Sequence, residues 1–176
     1  MYDPSGNSAI LACLVTIAIS GVITGISSAA GRLEGESAIG AFVGGFIDGA
    51  IGSIAVAAGL AVSGPGGILL AAFIGAIGGA LGNVTGQLIS YGNVDRRAVF
   101  IQAFYSAITA GASTGILEAT KLFPKTGNFK RDIVNNLRFY ASEDVIYKAG
   151  AGIISSSVTG FLAYLSLPSA NTIRKY

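Results

Sequence analysis

The stretch GAIGSIAVAAGLAVSGPGGILLAAFIGAIGGALGNVTGQLISYGNV, from Gly49 to Val94, holds 46 residues without one charged side chain. A bilayer-spanning helix needs about 20 predominantly apolar residues, so the stretch has room for two, with a reversal between them. Gly64-Pro65-Gly66-Gly67 supplies the reversal: proline fixes φ, glycine accepts φ > 0, and no charge holds the turn in water. The reading is a hydrophobic helical hairpin over 37–90, with arms 37–63 and 68–90.

Further apolar segments flank the hairpin. One runs over 8–31 with no charge, and a polar break at Arg32, Glu34, Gly35 and Glu36 separates it from the first arm. Beyond the break at Asp95, Arg96 and Arg97, a fourth segment over 98–117 carries Gln102, Tyr105, Ser106 and Thr109 among its apolar residues, and it either spans or stays interfacial. A fifth, over 145–167, is interrupted by Lys148 and diluted by Ser155-Ser156-Ser157. If the fourth segment spans, Arg96 and Arg97 fall on the opposite side from the lysines that follow it. The positive-inside rule then gives no single orientation.

Composition points the same way. Only 11% of the 176 residues are charged, against about 25% in a soluble globular domain. Glycine fills 26 positions, and small residues at this density suit close helix contact in lipid. They add little to a water-soluble core, where each large side chain contributes about 1.5–3 kcal/mol on burial. The expected fold is all-α: a glycine-rich helical membrane protein with a central hydrophobic hairpin and peripheral amphipathic helices.

Glycines four apart place small residues along one helix face. Gly78, Gly82 and Gly86 make a groove over two turns into which another helix can settle, within the chain or in a homo-oligomer. Gly40, Gly44, Asp48 and Gly52 share a second register, which puts an acid on a small-residue face. An ionisable group inside a span is expensive and marks function by default. The alternative is that the first arm ends early and Asp48 lies at its watery end.

After residue 120 the chain changes character, with Lys121, Lys125, Lys130, Arg131 and Arg138 against Asp132 alone up to Arg138. Phe129, Ile133, Leu137 and Tyr140 recur at helical spacing, so this region reads as a basic amphipathic helix. Such a helix lies on anionic lipid or packs on its own domain. The organisation is therefore a short junction segment over 1–7, a glycine-rich hydrophobic membrane-inserting region over 8–120, and a basic amphipathic helix plus C-terminal apolar helix over 121–176.

The residues that perform chemistry are scarce. Histidine is absent, and Cys13 is the one cysteine and sits in an apolar run. The commonest general base and metal ligand is thus missing, as is any disulfide framework. Dinucleotide, phosphate-loop and serine-nucleophile motifs do not occur. A net charge of +2 is too mild for a basic nucleic-acid stripe. The expectation is a non-enzyme with no cofactor, no metal and no nucleic-acid partner.

At the start, Tyr2-Asp3-Pro4-Ser5-Gly6 forms a turn signature, and no basic n-region precedes the apolar stretch as a secretory signal requires. These five residues resemble the junction that closes the Rhs/YD-repeat core of bacterial polymorphic toxins, after which the variable C-terminal toxin region begins. The resemblance implies an effector carried in a β-repeat Rhs shell, secreted, released into a rival cell and neutralised in its producer by a cognate immunity protein. It leaves the activity open. The chain departs from the family's enzymatic members, which carry recognisable polar catalytic residues. Together with the hairpin, which resembles the one pore-forming colicins drive into bilayers, it predicts a toxin that breaches or depolarises the target bacterial inner membrane. The alternative is a non-toxic anchor or translocation module of a larger polymorphic toxin.

Overall fold

A computed structural model describes residues 7–32 and 34–119, with side chains from Leu14 onward. These residues form four helices, α1 (Asn7–Ala30), α2 (Ala38–Val62), α3 (Gly64–Tyr91) and α4 (Arg96–Ala119), and no strand. At 1.5 Å per residue the helices run about 36–42 Å, more than the roughly 30 Å of a bilayer's hydrocarbon core. Three of them, α2, α3 and α4, are long and apolar enough to cross a membrane. The turn signature over 2–6, the basic residues Lys121, Lys125, Lys130, Arg131 and Arg138, and the fifth apolar segment lie outside the described residues.

Local signals set the helix ends. Ser37 is extended (φ −67°, ψ 131°), and its hydroxyl accepts the Gly40 N–H at 3.3 Å, capping α2 as an N-terminal serine should. Gly92 closes α3 at φ 70° and donates its N–H to the Leu88 carbonyl at 3.0 Å. The hairpin turn is tighter than its sequence suggests. Gly64-Pro65-Gly66-Gly67 is not a loop but the first turn of α3, because proline fits a helix start, where its missing N–H has no acceptor to lose. The reversal falls on Ser63 (φ 55°, ψ 167°) and Gly64 (φ 67°).

Successive helices are antiparallel neighbours, and the glycine pairs form the seams. On α2 facing α3, a Cβ on Gly44 would stand 2.6 Å from the Gly82 carbonyl oxygen, and one on Gly40 2.7 Å from that of Gly86. Further along the same seam, a Cβ on Gly59 would meet the Gly67 oxygen at 2.7 Å and Thr114 Cγ2 at 2.9 Å. Between α3 and α4, Gly75 faces Ala110 and Gly79 faces Ser106. Against α1, the positions reverse roles: Gly21 and Gly25 receive the rings of Phe46 and Phe42, while Gly45 and Gly49 receive Ser28 and Thr24. The Ser20 hydroxyl donates to the Gly49 carbonyl at 2.9 Å across this contact.

The resulting molecule is small inside and large outside. Among the described residues the buried apolar cluster is Ala55, Ala71 and Ala110, with Ile74 packed against it, and Thr114 is the largest fully buried side chain. Leu69, Phe73 and Phe100 are 71%, 66% and 72% exposed, and fifteen other large apolar side chains among the described residues are also on the surface. In water each forgoes the roughly 1.5–3 kcal/mol that burial would give. In hydrocarbon the same surface is solvated, and an interior of small residues is what close helix approach requires.

The antiparallel order also sorts charge. Arg32, Glu34 and Glu36 at the α1–α2 break share one end of the bundle with Asp95, Arg96 and Arg97 at the α3–α4 break. Among the described residues the opposite end has Glu118 alone, whose carboxylate accepts the Gly64 N–H. That donor is one of those left without a partner at the start of a helix, where negative charge is favoured.

One substitution made at two glycines tests the seam. Gly82→Ala drives a methyl group into the Gly44 backbone and should lower stability by about 1–3 kcal/mol. Gly52→Ala meets nothing within 4 Å and should be neutral or gain up to about 1 kcal/mol of helix propensity. Unfolding of the detergent-solubilised protein measures both. Equal effects would show that backbone contact at Gly82 is not what holds the hairpin.

Candidate functional site

Asp48 lies in the unbroken middle of α2, with ten helical residues before it and fourteen after. The helix therefore does not end near Asp48. Its carboxylate accepts hydrogen bonds from two α4 side chains. Gln102 Nε2 donates to Oδ2 at 3.0 Å, and Ser106 Oγ is 3.0 Å from Oδ1 and 3.2 Å from Oδ2. Gln102 and Ser106 are four apart, so one face of α4 presents both donors.

The glycines of α3 make this approach feasible. A Cβ on Gly82 would stand 3.1 Å from the Asp48 Cβ, and one on Gly79 would stand 2.7 Å from the Ser106 Cβ and 2.8 Å from the Gln102 carbonyl oxygen. Side chains at these two positions would wedge α3 away from both neighbours. Without them, α2 and α4 draw close enough on either side of α3 for a short carboxylate to reach across.

The remaining predicted positions sort by geometry. Gly40, Gly44, Gly82 and Gly86 meet in the α2–α3 seam, and Gly78 packs against Ile51 of α2. The groove of Gly78, Gly82 and Gly86 is thus occupied by α2 of the same chain. Gly52 does not join them, because open space surrounds it. At 3.6 residues per turn, each step of four rotates about 40°. The last member of the series 40, 44, 48, 52 has therefore turned about 120° from the first.

Other polar side chains fasten the ends of the bundle. The Gln87 side chain accepts the Asp95 N–H and donates to the Asp95 carbonyl at 3.5 Å and to Asn83 Oδ1. Asp95 Oδ1 in turn accepts the Arg97 N–H at 2.9 Å, capping α4. Sequence reading passed over Gln87 and Glu118 because each looks like an isolated polar residue until the fold supplies its partner. Gln102 and Ser106 did carry a signal, as two polar residues one turn apart in an apolar helix, but nothing in the sequence tied them to a residue more than fifty positions earlier.

Among the described residues no group of His, Cys, Asp or Glu could hold a metal ion. What the site offers is a carboxyl group deep in the bundle. Both of its partners, Gln102 and Ser106, are neutral, and neither supplies a compensating charge. Interhelical hydrogen bonds in membranes average about 0.6 kcal/mol and reach about 1.7, whereas an aspartate at a helix centre in lipid costs about 2.5–3.5 kcal/mol. At the average value two such bonds give about 1.2 kcal/mol and do not offset that cost, so Asp48 is a poor choice as a structural fastener.

Comparison with protein-family models, with curated proteins and with solved structures gives no match.

Asp48→Asn separates the two roles. If Asp48 holds charge rather than the fold, this variant should unfold in detergent at an unchanged or higher denaturant midpoint, as the expense of the charge is removed. A loss of more than about 2 kcal/mol, above the largest single interhelical bond, would make Asp48 structural.

Proposed function

We propose that the chain is a membrane-inserting antibacterial effector that permeabilises the inner membrane of a target cell and collapses its ion gradients. The observation that carries the membrane part of this reading is the inverted distribution of side chains. An alanine and glycine interior carries Leu69, Phe73, Phe100 and Phe104 on its outside. Such a surface gains by entering hydrocarbon and has no comparable gain in water. Asp48, the one mid-helix carboxylate among the described residues, supports permeabilisation over simple anchoring, since an anchor has no use for a group that makes insertion harder.

The effector part rests on Tyr2-Asp3-Pro4-Ser5-Gly6 and its resemblance to the Rhs/YD-repeat junction. On that reading the bundle is stored in a repeat shell that shields its apolar exterior from water. An immunity protein in the producer's membrane would occupy or disarm the inserted helices. The target is the bilayer itself, and no catalytic residue is required.

The test is expression in bacteria with and without an added export signal, following membrane potential with a dye. The proposal predicts rapid depolarisation before nucleic-acid or protein synthesis declines. Viable, polarised cells that hold the protein in their membrane fraction would contradict it and favour the non-toxic anchor or translocation module.

A further inference from the structure

Resting on the permeabilising reading, we infer that the polar face of α4, completed by Asp48 of α2, forms the path for ions and selects alkali-metal cations over anions. Gln102, Ser106, Thr109 and Ser113 fall within an arc of roughly 60° on a 3.6-residue helix. All four are half-buried. Phe100, Phe104 and Ile108 occupy the opposite side of α4 and are 72%, 58% and 51% exposed. The helix therefore presents large apolar groups on one side and a continuous row of amide and hydroxyl groups on the other.

Two further features place a path on that polar side. Asp48 is the one Asp, Glu, Lys or Arg away from the ends of the four described helices, and it is held by Gln102 and Ser106 of this same row. One turn along α2 toward the hairpin turn, Gly52 has open space beside it, with no atom of another helix within 4 Å of the place a Cβ would take. Among the described residues the one group beside this row that can carry a full charge is the Asp48 carboxyl, whose ionised form is negative and whose two hydrogen-bond partners are neutral. At a low-dielectric depth that charge attracts a cation and repels an anion far more strongly than it would in water. Hydroxyl and amide oxygens along the row replace part of the ion's hydration, as polar linings do in channels.

The experiment is conductance in planar bilayers under a potassium chloride gradient, using the full chain with Cys13→Ser as background. The background protein should show a cation-selective reversal potential, and Asp48→Asn should move it toward zero. Thr109→Cys and Ser113→Cys should be blocked by a positively charged, membrane-impermeant thiol reagent, whereas Phe104→Cys and Ile108→Cys on the lipid side should not. Asp48→Asn retaining the full cation preference would overturn the inference, and so would block at Phe104→Cys and Ile108→Cys without block at Thr109→Cys and Ser113→Cys. Absence of conductance from the background protein would overturn the permeabilising reading and the path with it, an outcome distinct from conductance that follows another face.

Discussion

Backbone-to-backbone contact at glycine is the constraint on which the rest of the structure depends. Where Gly44 meets Gly82 and Gly59 meets Gly67, one helix lies against the carbonyl oxygens of the next, with no space for a Cβ between them. The contact is short-ranged, so it gains from van der Waals packing and not from expelled water. That balance suits lipid, in which apolar side chains have no reason to hide from the solvent. The bulky residues left outside follow directly: a seam closed by glycine and alanine leaves Phe, Leu and Ile for the surface.

Much of the fold was legible because charge gaps and helix length are one-dimensional signals. The segments 8–31, 37–63, 68–90 and 98–117 fall within α1 to α4 to within a few residues, except where Gly64-Pro65-Gly66-Gly67 was read as a loop. That error has a physical cause. Glycine and proline together resemble a turn, but proline is equally at home at a helix start, and Gly67 is needed there to let α3 pass Gly59. The glycine registers indicated which faces are small without indicating which neighbour each face meets. Gly52 was placed on the packing face because a spacing of four was treated as a straight line along the helix.

The site was half legible. Asp48 stood out as a charge in an apolar run, while its partners belong to a helix that is not adjacent in sequence and became identifiable only when α3 brought α2 and α4 together. The glycines at 79 and 82 therefore have two effects, tightening the bundle and allowing a carboxylate to be solvated by Gln102 and Ser106 within it. The seam is built for close packing, and the group at its centre makes residence in lipid less favourable.

The central claim is that the large apolar faces meet lipid. The chain contains no tryptophan, so a single Phe73→Trp substitution on the outer face of α3 provides a reporter without background. Reconstituted into vesicles whose acyl chains carry bromine, this variant should lose most of its fluorescence relative to unbrominated vesicles, because the indole touches the chains directly. Fluorescence unchanged by bromination, with the protein remaining in the aqueous fraction, would contradict the account.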